Sequence, residues 1–126
     1  MMHILSGIFL FLHGLVHFWY VTLSMGWVTF QEDMGWTGRS WLLTGALSED
    51  SLSILAAAGY SISAVLFAGV GVMMFLNQDL AKSWMLVPAA VSSMMILVFW
   101  DGSPLMAVQK GALGLLINIL VIFFAR

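Results

Sequence analysis

The sequence predicts an all-α integral membrane protein, an antiparallel bundle of four transmembrane helices that forms a single domain over residues 1–126. Composition is the first reason. Hydrophobic residues make up 62% of the chain and charged residues 8%, whereas about a quarter of a soluble domain is charged. The second reason is length, because the apolar residues fall into stretches near the ~20 residues that a helix needs to cross ~30 Å of hydrocarbon.

The predicted spans run over approximately residues 4–28, 52–76, 81–100 and 105–125. The connections at 77–80 and 101–104 are short, so the last three spans are expected to be antiparallel neighbours. Pro88 lies within the third span, where it is expected to kink the helix or to be tolerated by the packing of neighbouring helices. The connection at 30–50 is longer and carries tryptophan and charged residues, which predicts an interfacial loop. A lid over a site between helix ends is the alternative interpretation of this loop.

Orientation depends on how the four basic residues divide between the two sides. With four spans, Lys82 and Arg126 lie on the side of the termini, while Arg39 and Lys110 lie opposite, so the positive-inside comparison is balanced. We expect cytoplasmic termini, because Arg126 adjoins its helix and the opposite side holds more acids.

Small and polar residues mark the faces through which membrane helices contact one another. On the first span, most positions of one stripe can hydrogen-bond, which predicts that the stripe faces the bundle interior. Its members, at alternating spacings of three and four, are His3, Ser6, Leu10, His13, His17, Tyr20 and Ser24. The second span offers Ala57, Ser61, Ala64, Ala68 and Gly71, and the fourth offers Ala107, Gly111, Gly114, Asn118, Val121 and Ala125.

The candidate functional residues are a histidine pair near the middle of the first span. His13 and His17 are one helical turn apart and therefore point the same way. Asn118 is expected at the same depth, and Ser61, Ser92 and Ser93 also lie near mid-membrane. Ionisable residues inside a span are a functional hypothesis by default.

Three interpretations of this pair remain open. Neutral imidazoles could hydrogen-bond within the protein and join helices. Alternatively, His13, His17 and Asn118 could form a binding site for a tetrapyrrole, haem or chlorophyll, with Gly14 leaving space for the flat ring. In the third interpretation His13, His17 and Asp101 hold zinc, copper or iron, although helix rise places Asp101 ~10 Å from His17.

Several functions are disfavoured by what the sequence lacks. There is no cysteine, which removes thiolate ligands and thiol redox chemistry. There is no basic cluster, so no nucleic-acid partner is expected. No acid lies deep in a span, which argues against a proton-coupled pump. Asp101 is expected to form an exposed pair with Lys110, and exposed pairs contribute little.

Three short motifs resemble those of a family of small prokaryotic four-span membrane proteins. They are the His-Gly-Leu-Val-His sequence of residues 13–17, Trp100-Asp101, and the Gly-Leu-Leu-Ile-Asn sequence of residues 114–118. Asp101 stands where the family more often has proline. The resemblance implies four spans in a prokaryotic cell membrane. It implies no chemistry, because the family has no established activity.

Without a complete catalytic set, the sequence predicts a non-catalytic structural or accessory subunit of a membrane assembly or a homo-oligomer. Its expected partners are the lipid bilayer and other membrane subunits or further copies of itself. Large outward residues on the first and fourth spans would supply the contact: Phe18, Trp19, Phe123 and Phe124. A tetrapyrrole-binding protein is the alternative, and a metal-dependent membrane enzyme is the second alternative.

Overall fold

The computed structural model describes residues 2–28, 36, 38–104 and 107–125. Within them every regular element is helical, which confirms the all-α class for this part of the chain. The helices are α1 (Met2–Ser24), α2 (Glu49–Phe75), α3 (Ala81–Trp84), α4 (Leu86–Val98) and α5 (Leu113–Ala125). Much of the predicted interfacial loop (residues 30–35 and 37) and the predicted start of the fourth span (residues 105 and 106) lie outside the described residues.

Three helical segments are long and apolar enough to cross a membrane, and they coincide with the first three predicted spans. They are His3–Ser24, Glu49–Phe75 and Ala81–Val98. The fourth apolar helix, Lys110–Ala125, is shorter. At a rise of 1.5 Å per residue its length is ~24 Å. The predicted fourth span is thus helical over Lys110–Ala125, and its crossing of the membrane stays a prediction. Before α5 lies a short π-helical turn, Val108–Ala112. Within it Gly111 adopts a φ of 118°, which interrupts the helix.

The third segment is interrupted where its proline predicts. Met85 separates α3 from α4, three residues before the buried Pro88. A proline has no N–H to donate to the carbonyl four residues earlier, here that of Trp84, and its ring crowds that carbonyl. The interruption at Met85 falls one turn ahead of the proline, and Met85 keeps helical backbone angles.

α1 packs along α2, α2 on α4, and α4 on α5. The backbones of α1 and α2 come close at glycines. A β-carbon on Gly14 would lie 2.9 Å from the Ala64 carbonyl oxygen, and one on Gly7 would lie 3.0 Å from that of Gly71. α1 and α5, in contrast, have little backbone contact and are joined through side chains.

The predicted stripe of α1 is confirmed from its third residue, Leu10, onward. Leu10, His13, His17, Tyr20 and Ser24 are buried, whereas His3 is exposed and Ser6 half-buried. The α5 stripe is also confirmed in its centre, where Gly111, Gly114, Asn118 and Val121 are buried.

The predicted α2 stripe is only partly right. Ala64 and Gly71 are buried, but Ala57, Ser61 and Ala68 are half-buried. The buried face is rotated toward Tyr60 and Phe67, large side chains that fill the interior and that a rule based on small residues passes over.

The described part of the long connection covers the C-terminal end of α4. Carbonyl groups in the last turn of a helix have no partner within the helix. Here Trp36 Nε1 donates to the Phe99 carbonyl at 2.8 Å, and Ser40 Oγ donates to the Val98 carbonyl at 2.5 Å. Trp41 donates twice, from Nε1 to the Leu97 carbonyl at 2.7 Å and from its backbone N–H to the Trp100 carbonyl at 2.8 Å. This segment is thus a cap on α4.

Candidate functional site

Five polar side chains from three helices meet in the interior, and we refer to them as the polar cluster. They are His13 and His17 from α1, Ser92 and Ser93 from α4, and Asn118 from α5. His17, Ser92 and Asn118 are fully buried, and His13 is 5% exposed. The structure therefore brings together the predicted histidine pair, its predicted asparagine and two of the three predicted serines.

Hydrogen bonds connect the cluster across helices. His13 Nε2 lies 3.2 Å from Asn118 Oδ1, and Asn118 Nδ2 donates to Ser92 Oγ at 2.9 Å and to Ser93 Oγ at 3.1 Å. Ser92 Oγ lies 2.6 Å from His17 Nε2. His17 Nδ1 lies 3.0 Å from the backbone oxygen of His13, which closes a ring of contacts that begins and ends at the same residue.

The partners determine where the protons are. A carbonyl oxygen only accepts, so His17 Nδ1 carries a hydrogen, and in a neutral ring His17 Nε2 accepts from the Ser92 hydroxyl. Because Asn118 Nδ2 donates to two hydroxyl groups, Asn118 Oδ1 is free to accept from His13 Nε2–H. Every hydrogen bond of the cluster then has one donor and one acceptor, with both rings neutral.

Aromatic rings enclose the two imidazoles. The fully buried Phe67 of α2 lies 4.7 Å from the His13 ring and 5.2 Å from the His17 ring, measured between centroids. Tyr20 lies edge-on to His17 at 5.9 Å. Ser61, expected near this site, is half-buried, and Ser63 is the buried serine of α2, where it donates to the Gly59 carbonyl at 3.0 Å.

The hydrogen bonds of the pair leave one ring nitrogen, His13 Nδ1, for the metal of a tetrapyrrole. An axial histidine needs a ring nitrogen whose lone pair faces the metal. Nε2 of His13 and both ring nitrogens of His17 are hydrogen-bonded within the protein. The expectation that Gly14 leaves space for a flat ring is wrong, because the backbone of α2 occupies the space beside it.

The predicted metal ligands are not brought together either. Within the described residues, no three His, Cys, Asp or Glu side chains lie close enough to hold a metal ion. Asp101 pairs instead with Lys110, Oδ2 to Nζ at 2.5 Å, beyond the C-terminal end of α4. The pair itself was expected, but its exposure was not: the Lys110 and Asp101 side chains are 9% and 3% exposed.

A small cavity adjoins this ion pair and was not predicted. Its volume is about 20 Å³, enough for one water molecule. The polar residues on its wall are Tyr20, Ser24, Tyr60, Asp101 and Lys110. No local pattern predicts it, since the lining residues come from distant helices and a turn. A cavity of this size has no room for an organic substrate.

Comparison with known proteins gives no relative from which a function could be taken. No family profile matches this chain, no curated protein matches it, and no solved structure matches it. The resemblance to the four-span prokaryotic family therefore stays a prediction, and the function has to be argued from the polar cluster and the surface.

Proposed function

We propose that this chain is a multi-pass membrane protein that acts as a non-catalytic structural or accessory subunit, either of a larger membrane assembly or of a homo-oligomer. In this proposal all four apolar segments cross the bilayer of a prokaryotic cell in alternating directions, with both termini in the cytoplasm. Three segments have the length and composition that crossing requires, and large apolar side chains cover the outer surface.

The observation that carries the proposal is the closed hydrogen bonding of the polar cluster. A catalytic base or a metal ligand needs a lone pair directed at its substrate or metal. The Nε2 atoms of His13 and His17 are directed at Asn118 and Ser92 instead, and all four residues are buried away from any substrate. This supports a structural role for the pair.

The polar cluster stabilises the contact between α1 and α5, whose backbones have little contact. It makes one hydrogen bond between α1 and α5, one between α1 and α4, and two between α4 and α5. An interhelical hydrogen bond in a membrane contributes ~0.6 kcal/mol on average, so these bonds together supply roughly 2–3 kcal/mol. Their directionality also selects one rotation of α1 about its axis.

The short α5 requires an adjustment in a bilayer. α5 (Leu113–Ala125) is ~20 Å long at 1.5 Å per residue, against a hydrocarbon thickness of ~30 Å. Local thinning of the bilayer accommodates a short span at a modest cost. The buried Lys110–Asp101 pair, next to the broken turn at Gly111, keeps charge paired where α5 begins.

The proposed partner contact is the outer surface of α1 and α5. Phe18, Phe123 and Phe124 are exposed there, whereas Trp19, predicted to join them, packs against the interior. Aromatic side chains supply much of the energy of protein–protein contacts.

The mass of the complex, measured by native mass spectrometry in mild detergent, tests the proposed function. We expect a homo-oligomer or a stoichiometric co-purifying membrane protein, and Phe123→Ala should weaken it. Ile54→Ala, which removes a similarly exposed side chain from α2, is the matched control and should leave the complex intact. A lone monomer without a partner would contradict the proposal.

A further inference from the structure

A large groove opens at the end of the bundle that holds the start of α1 and the end of α5. Its volume is about 690 Å³. Phe9 and Leu10 form one wall and Leu120, Val121 and Phe124 the other. Met74 of α2 and Met85, at the break before α4, lie between the walls. The groove is separate from the polar cluster, none of whose side chains lines it.

The groove follows from how α1 and α5 are joined. Their backbones have little contact, and the His13–Asn118 hydrogen bond holds them together at mid-height. On the N-terminal side of His13 no such bond links the walls among the described residues. From His3 to Leu10 the groove extends ~10 Å along α1, by helix rise.

The groove is apolar along its length and basic at its rim. Lys82, in the only turn of α3, and His3, at the start of α1, both line it and both are exposed. No acidic residue is among the described residues that line it. At a membrane surface this combination suits a ligand that has a hydrocarbon chain and an anionic head, because the Lys82 side chain attracts anionic lipid.

We propose that this groove binds one molecule of an anionic phospholipid, with an acyl chain between α1 and α5 and the phosphate beside Lys82. The inference rests on the membrane location in the proposed function. A second copy of the chain fits the groove less well, because no acidic residue among the described lining residues is available to pair with Lys82 across a contact between copies.

Lipid retention, measured by native mass spectrometry of the full chain, tests the headgroup. We would titrate phosphatidylglycerol and phosphatidylcholine with identical acyl chains. One retained phosphatidylglycerol per chain is expected, and Lys82→Gln should lower its affinity roughly five-fold, the factor expected for one basic side chain at an anionic surface. Arg39→Gln, which removes an exposed cation from the loop at the other end, should change nothing.

A second pair of variants tests the groove itself. Leu120→Trp places a larger side chain in the groove and should abolish retention of the lipid, whereas Ile119→Trp, on the neighbouring exposed position outside the groove, should not. The thermal unfolding temperature of both variants checks that they are folded.

Three results would overturn the assignment. These are equal retention of the two lipids, unchanged retention in Leu120→Trp, and a dimer that Leu120→Trp alone dissociates. The added mass per chain measures lipid occupancy. The number of chains in the complex, or the presence of a partner protein, tests the proposed function. Either proposal can therefore fail while the other stands.

Discussion

Asn118 is the residue on which the polar cluster depends. Its side chain bonds to three others, on α1 and α4, and has no exposed surface. Without Asn118, His13 Nε2 would be held in the interior without this hydrogen bond, whereas Ser92 would keep its bond to His17. An unpaired buried polar group costs more than the net gain from the bond that satisfied it.

Asn118→Leu, a substitution of similar size, should therefore lower the free energy of unfolding. Three hydrogen bonds at ~0.6 kcal/mol each give about 2 kcal/mol. Equilibrium unfolding in mixed micelles would measure this loss, with Ile119→Leu on the exposed side of the same helix as the control. A loss no larger than that of the control would show that the cluster does not stabilise the bundle.

The hydrogen bonds of the two imidazoles also predict an optical property. With Nε2 of His13 and of His17 engaged by Asn118 and Ser92, neither ring presents this nitrogen to an iron or magnesium atom. We expect the absorption spectrum of the purified protein to show only the bands of its aromatic residues. A Soret or chlorophyll band that disappears in His17→Ala, but not in Ser83→Ala, would refute the structural role of the pair.

At the scale of the helices, glycine decides how closely α1 approaches α2. The neighbour of Gly14 is the Ala64 carbonyl, a backbone group that cannot rotate away, and Phe67 and Ala68 lie almost as near. Gly69, on the exposed side of α2, has nothing within 4 Å of the position of a β-carbon.

Alanine at these two positions should have different effects on the free energy of unfolding. Gly14→Ala gains up to ~1 kcal/mol of helix propensity but forces the helices apart, at ~1–3 kcal/mol, so we expect net destabilisation of about 1 kcal/mol. Gly69→Ala keeps the gain alone and should be neutral or stabilising. Thermal unfolding in detergent would measure both, and a stabilising Gly14→Ala would mean that the helices are not in contact there.

Sequence periodicity predicted the buried faces of the helices well at positions where polar residues mark them. The stripe of α1 from Leu10 to Ser24 and the centre of the α5 stripe follow from spacing alone, because polar groups in a span avoid lipid. The role of Gly14 was misjudged, since a glycine beside a histidine gives no sign of which neighbour approaches it.

Features that join distant parts of the chain were not predictable. The indoles of Trp36 and Trp41 cap carbonyls about 60 residues further along, and no local pattern signals which backbone groups they reach. The broken helix at Gly111 was missed because a glycine in an apolar stretch also suits close packing. The burial of the Asp101 side chain was also not predictable, because it depends on how the turn between α4 and Gly111 folds.

For the whole molecule, the other proposals depend on four membrane crossings. The described helices form a row, α1–α2–α4–α5, whose ends α1 and α5 meet through the polar cluster. If α5 did not cross the bilayer, the groove between α1 and α5 would not face lipid along its length, and the proposed lipid site would fail.

The accessibility of single cysteines in sealed membrane vesicles tests this most directly, because the natural chain has none. We would place cysteine at His3, Gly45, Asp79, Ser103 and Ala125 in turn and label with a membrane-impermeant maleimide. Gly45→Cys and Ser103→Cys should react from the outside of the cell, and the other three only in inverted vesicles. Labelling of Ala125→Cys from the same side as Ser103→Cys would show that α5 does not cross, and would contradict the four-span account.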